Sequence, residues 1–208
     1  YRLGGNMSTQ TLLQLNASVF SVHGQSSQLA NRFVKGFVQR EPSTQVVARD
    51  LAKDTVPHLD AERFQAFLAP ADARTPAQQA VVDFSDALIS ELQAADVIVL
   101  GLPMYNFGVP SQLKAYFDHV ARAGITFRYT ATGPEGLLTD KKVYVFAARG
   151  GIYQGTPADT QTQYVKDFFR FIGITEVEFV YAEGLNMGDE SKANALAQAH
   201  QQIERLSA

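Results

Sequence analysis

Apolar and polar positions change period repeatedly along the chain. Thr11-Leu12-Leu13-Gln14-Leu15-Asn16 is a short apolar run that ends in a polar residue, which predicts a first strand. From residue 26 to 40 the apolar side chains fall in two adjacent i,i+4 rows: Leu29, Phe33 and Phe37 beside Ala30, Val34 and Val38. Together the rows make one helical stripe, and Glu41-Pro42 stops it. Residues 45–51 predict a second strand, and residues 62–67 a short helix between Pro57 and Pro70. Thr75-Pro76-Ala77-Gln78 has the form of a capping box with proline at the first helical position. The helix it opens is expected to face inward through Val81, Phe84, Leu88 and Leu92. Residues 96–100 (Asp-Val-Ile-Val-Leu) run apolar up to Gly101, as a strand buried on both faces does.

Ser111 opens a further helix with Leu113, Tyr116, Phe117 and Val120 at core spacing. A fourth strand is predicted over 142–148, a helix over 161–172, a fifth strand over 176–181 and a closing helix over 191–206. Strands alternating with helices imply a parallel sheet covered on both faces, and right-handed crossovers make it doubly wound. The common order is 2-1-3-4-5, which puts ligands outside the carboxyl ends of the strands, at the switch between strands 1 and 3. Neither repeats nor a linker divide the chain, so one domain is expected over residues 7–208.

Three loops therefore carry the candidate chemistry. The first, residues 17–27, is rich in hydroxyls and runs into a helix N-terminus, where free N–H groups and the helix dipole favour an anion. It has neither the P-loop lysine nor the GxGxxG spacing, and a cradle without lysine suits a terminal monophosphate. An ordinary serine-capped helix would look the same. The second loop, Pro103 to Ser111, crowds Met104, Tyr105 and Phe107 between two prolines. Such side chains belong on a loop that covers something apolar, either a flat ligand or a subunit interface. The third, Ala148-Arg149-Gly150-Gly151, permits close backbone approach or a positive φ, or is a simple strand-end turn.

Composition narrows the classes. The 208 residues are 46% hydrophobic but only 19% charged, with a net charge of −3 and no basic cluster, which speaks against nucleic-acid binding. There is no cysteine, so disulfides and thiolate metal sites are excluded. His23, His58, His119 and His200 are scattered without metal-ligand spacing, so no metal is expected. No apolar run is long enough to span a bilayer. Residues 1–6 read as a cloning scar ahead of a native start at Met7, and with no cationic or apolar leader in view the expected compartment is the cytoplasm.

Several segments, taken in order, resemble the FMN-dependent NAD(P)H azoreductase family, whose members are also described as quinone reductases. The most specific is Pro103-Met104-Tyr105-Asn106-Phe107, followed by residues 123–129 (Ala-Gly-Ile-Thr-Phe-Arg-Tyr) and 133–137 (Gly-Pro-Glu-Gly-Leu). Arg149-Gly150-Gly151, Phe171-Ile172-Gly173-Ile174 and Ala182-Glu183-Gly184 complete the likeness. It implies a flavodoxin-like three-layer sandwich and a homodimer with FMN at its interface. By the same likeness Ser18, Gly24, Gln25 and Ser26 hold the FMN phosphate. Pro103, Met104, Tyr105, Asn106 and Phe107 hold the ribityl chain and the ring. Ala148, Arg149, Gly150 and Gly151 line the pyrimidine edge, and Tyr129 and Phe171 shape the substrate pocket. The chain departs from the family where serine is common, at Gly24 and Ala148.

The implied activity is two-electron, ping-pong reduction of quinones and azo dyes, with NADH or NADPH as donor and the cofactor rather than a side chain doing the chemistry. A flavodoxin-type electron carrier and a flavin reductase remain as alternatives. A receiver domain is set aside, because Ala17-Ser18 and Met104-Tyr105 stand where its acidic residues would be.

Overall fold

The computed structural model describes residues 9–207, so the expected scar at 1–6 and start at Met7 lie outside the described residues. The main sheet is built from β1 (Thr11–Asn16), β2 (Gln45–Asp50), β3 (Val97–Pro103), β6 (Lys142–Ala148) and β7 (Glu176–Ala182). All of its pairings are parallel, and the order is β2-β1-β3-β6-β7. The expected numbering 2-1-3-4-5 leaves out a small antiparallel hairpin, β4 (Phe127–Thr130) and β5 (Gly133–Gly136). Gly-Pro-Glu-Gly has no strand propensity and no alternation, so nothing local announces β5. Tertiary contact holds the hairpin instead: a Cβ on Gly136 would come within 1.9 Å of the Gly173 nitrogen, and Leu138 N–H donates to Ile172 C=O at 2.8 Å. Gly173, at φ +107°, and Gly136 permit this backbone-to-backbone approach.

Helices cover both faces of the sheet. Alternating side chains of each strand go to opposite sides. Leu13, Leu15, Ile98, Leu100, Val143 and Val145 meet α3 (Pro76–Ala94), α4 (Ser111–Val120) and α5 (Thr162–Phe171). On the other side Leu12, Val97, Val99, Phe146 and Val180 meet α1 (Gln25–Arg40) and α6 (Asp189–Leu206), with Phe33 packed between Tyr144 and Phe146. Each fully buried Leu or Phe stabilises this arrangement by about 1.5–3 kcal/mol. All of β3 is buried, while most of β2 is exposed at the sheet edge.

The reciprocal Thr75–Gln78 capping box forms, with Pro76 in the first turn of α3. The inward face of that helix is rotated from expectation. Val82, Ser85, Leu88, Ile89 and Leu92 are buried, and Val81 and Phe84 only half-buried. Ser85 is drawn in because its hydroxyl donates to His119 C=O and accepts from Arg122, which a hydrophobic pattern cannot reveal. The short α2 (Ala61–Leu68) packs on α3, capped by Asp60. Among the described residues no helix is long and apolar enough to cross a membrane, and no His/Cys/Asp/Glu cluster could hold a metal ion.

His119 on α4 is fully buried, with Nδ1 2.8 Å from Ala115 C=O and the rings of Phe67 and Phe84 edge-on. Burial pushes its pKa down, and Arg63 adds to that. A histidine whose folded pKa is lowered contributes stability above its unfolded pKa of about 6.5 and loses it as pH falls below. Urea unfolding midpoints should therefore decline from about pH 6.5 downward, and His119→Gln should flatten that slope.

Candidate cofactor site

The carboxyl ends of β1, β3, β6 and β7 open into one continuous trough. At one end is a cavity of about 270 Å³ lined by Ser18, Gly24, Gln25 and Ser26 on one side. Pro103, Met104, Tyr105, Ala148, Arg149 and Gly150 form its floor. A second cavity, about 460 Å³, is lined by Met104, Asn106, Phe107, Gly150 and Gly151, with Tyr153 and Asn186. The two share Met104, Gly150 and Asn186.

The narrow end is shaped for an anion. No side chain caps α1, whose N-cap is Gly24, so the first N–H groups of the helix lack an acceptor within it. Ser26 is 1% exposed and its hydroxyl has no partner, although a buried hydroxyl costs free energy unless it is bonded. Ser18 Oγ accepts from Phe20 N–H at 3.1 Å. The Tyr105 hydroxyl accepts from Val19 N–H at 3.2 Å and lies 3.5 Å from Ser18 Oγ, so the two loops brace each other. A Cβ on Gly24 would lie 2.1 Å from Ser18 Oγ, which explains glycine at that position.

The wide end is a platform held under strain. Tyr105 and Gly108 pair across a tight turn whose central residues, Asn106 and Phe107, both have positive φ, +50° and +63°. That conformation favours glycine or asparagine, and a phenylalanine there needs support from its surroundings. The support comes from residues 160 and 161. Thr160 donates to Phe107 C=O, and the buried Gln161 donates to Pro103 C=O at 2.8 Å and Gly108 C=O at 2.9 Å. Among the described residues the N–H groups of Asn106 and Gly150 have no backbone acceptor. Gly150 is there for close approach rather than positive φ, since a Cβ would sit 2.6 Å from Asn186 Nδ2.

Arg149 lines the trough, and its guanidinium is fully buried. It pairs with Asp159 at 2.9 Å and Glu183 at 3.3 Å and lies over the Tyr181 ring. Asp159 in turn accepts from Gln161 N–H, Thr162 N–H and the Thr162 hydroxyl. Burial alone would raise the Asp159 pKa, but the bonds from Arg149 and Thr162 outweigh it and hold the group below the usual carboxylate range.

Tyr129 and Phe171 line neither cavity. They gather around Phe127, at ring distances of 5.4 and 4.3 Å, and Tyr129 is 75% exposed on the hairpin. Conversely, the sequence reading missed Phe20, Tyr153, Leu185, Asn186 and Lys192 as lining residues. The last three follow β7, whose carboxyl end shares the mouth of the sheet. The Ala182-Glu183-Gly184 segment just before them was the available signal.

This combination of a doubly wound sheet, an anion cradle at its switch point and an adjoining flat apolar platform defines a mononucleotide-binding α/β protein. The sequence model of the family described as flavodoxin-like fold matches residues 10–206. An FMN-dependent NADH:quinone oxidoreductase from Cellvibrio japonicus (strain Ueda107) is 60% identical over 94% of this chain and 97% of its own. One of the same description from Alcanivorax borkumensis is 59% identical over 92% and 97%. Among solved structures, an FMN-dependent NADH-azoreductase from Bacillus anthracis str. Ames Ancestor, in complex with FMN, superposes with a TM-score of 0.83. It is 27% identical and covers 96% of this chain and 100% of its own. The chain belongs to the flavodoxin-like fold family and, within it, to the family of FMN-dependent NADH:quinone oxidoreductases.

Two outcomes follow from the clamp beneath the platform. Gln161→Leu removes donors from two carbonyls and should cost about 1–3 kcal/mol in urea unfolding, with weaker flavin retention on gel filtration. A carboxylate with a depressed folded pKa stabilises above its unfolded value near pH 4 and loses that contribution as pH falls through the folded value. Acid release of flavin should accordingly set in below about pH 4, and Asp159→Asn should release it at neutral pH.

Proposed function

We propose that this protein is an FMN-dependent NADH:quinone oxidoreductase that also reduces azo compounds, in ping-pong order and as a homodimer. The trough carries the reading: an unpartnered buried serine and an uncapped helix at one end, an apolar platform with a Gly-Gly wall at the other. When bound, FMN supplies the two-electron chemistry.

The chain's own residues bind and orient. Ser18, Ser26 and the first N–H groups of α1, at Gln25 and Ser26, take the phosphate, with Gly24 allowing the close approach. Pro103 to Phe107 carry the ribityl chain and one ring edge, with Met104 and Phe107 as apolar cover. The Ala148–Gly151 segment takes the pyrimidine edge through its backbone, the Arg149 side chain serving below as an anchor. The N–H groups of Asn106 and Gly150, without a backbone acceptor among the described residues, hold negative charge on the ring in this proposal. No side chain is assigned as acid or base, and water is the proton source. Phe107 and Ile152, exposed beside the trough, suit a flat aromatic acceptor.

Tyr129 and Phe171 reach an acceptor only if a second copy brings them to the mouth, which is the reading proposed for them. Light scattering should give a dimer. Tyr129→Ala should lower kcat/KM for quinone while leaving flavin bound. NADH as donor places the reaction in the cytoplasm on this proposal.

An anaerobic absorbance titration tests the activity directly. NADH should bleach the bound flavin and a quinone should restore it, with parallel initial-rate lines when both substrates are varied. Bleaching by neither NADH nor NADPH would instead favour an electron carrier, and intersecting lines would exclude the ping-pong order.

A further inference from the structure

The cradle as built is neutral. Ser18 and Ser26 contribute hydroxyls and α1 contributes N–H groups, but residues 17–27 hold no lysine or arginine. A phosphate monoester carries about −1.5 to −2 charge near pH 7. Neutral donors can satisfy its oxygens without balancing that charge.

A cation from a different element nevertheless lines the same cavity. Lys192 stands in the first turns of α6 and shares the cavity with Ser18, Gly24, Gln25 and Ser26. Its place is fixed by the segment before it. Lys192 N–H donates to Gly188 C=O at 3.0 Å, and Ser191 Oγ donates to Gly184 C=O at 2.8 Å. Gly188 and Gly184 both have positive φ, +107° and +69°, and a Cβ on Gly184 would lie 2.6 Å from Ser191 Oγ. The Lys192 ammonium has no hydrogen bond or ion pair among the described residues, with Asp189 and Glu190 unpaired to it one turn away. A lysine near a helix N-terminus is also opposed by the helix dipole. A cation without a partner among the described residues, at the unfavourable end of a helix, lines the same cavity as an unpartnered buried serine, and an anion in that cavity would meet both.

We infer that Lys192 supplies the counter-charge to the cofactor phosphate, making the site selective for phosphorylated over unphosphorylated flavin and its occupancy sensitive to salt. This rests on the FMN reading above. The contact is electrostatic and solvent-accessible, so ionic strength should screen it.

The test uses the full chain, stripped of flavin and titrated with FMN and separately with riboflavin by fluorescence quenching. Lys192→Met keeps the aliphatic stem and removes the charge. It should raise the Kd for FMN about three- to tenfold and leave that for riboflavin unchanged. Between about 50 and 500 mM NaCl the parent should lose FMN affinity more steeply than the variant, and Lys192→Arg should restore parental behaviour. Unchanged FMN affinity at low salt, or equal loss of both flavins, overturns the role of Lys192. Failure of the parent to bind either flavin overturns the FMN reading itself, and the inference with it.

Discussion

Arg149 stands at the end of a central strand with its guanidinium removed from water, and a charge so placed has to be met where it lies. It is met by Asp159 and Glu183, and those two carboxylates organise the mouth of the sheet. Glu183 also accepts from the N–H groups of Tyr153 and Gln154, which shapes the chain beyond Gly151. Asp159 begins the turn that delivers Thr160 and Gln161 beneath the platform, and Gln161 then ties Pro103 to Gly108. One buried cation thus couples the loops after β3, β6 and β7. A network of this kind stiffens what it connects when its members find partners.

That stiffness is what a cofactor platform requires. Asn106 and Phe107, both at the wide cavity, hold left-handed backbone that isolated chain would abandon. At the other end, Tyr105 reaches back to the Ser18 loop, so the anion cradle and the platform are tied together. Ser21 adds a further tie by donating to Asp50 at the end of β2. Polar groups left unpaired in this setting, Ser26 Oγ above all, are then informative, because the surrounding chain is otherwise closely bonded.

The apolar surface near the trough belongs to the same logic. Phe20, Phe107, Ile152 and Tyr129 stay exposed although the core has packed both faces of the sheet. The aromatic cluster of Phe127, Tyr129 and Phe171 is carried on a hairpin that depends on Gly136 resting against Gly173. The hairpin therefore leaves Tyr129 exposed and outside the lining of both trough cavities.

Much of this was written locally. Alternation of period along the chain determined the main strands and helices, because burial on both faces of a parallel sheet demands unbroken apolar runs such as Val97 to Leu100. The capping box at Thr75, the hydroxyl loop and the Met104-Tyr105-Asn106-Phe107 segment were legible because their chemistry depends on near neighbours in sequence. What tertiary structure alone decided is where distant residues meet. The direction of the Arg149 side chain depended on carboxylates at 159 and 183, the rotation of α3 on a hydroxyl partner in α4, and the β4–β5 hairpin on a glycine contact 37 residues away. Lys192 lines the cradle's cavity for the same reason. Its neighbours there come from the other end of the chain, and only folding brings α6 over the start of α1.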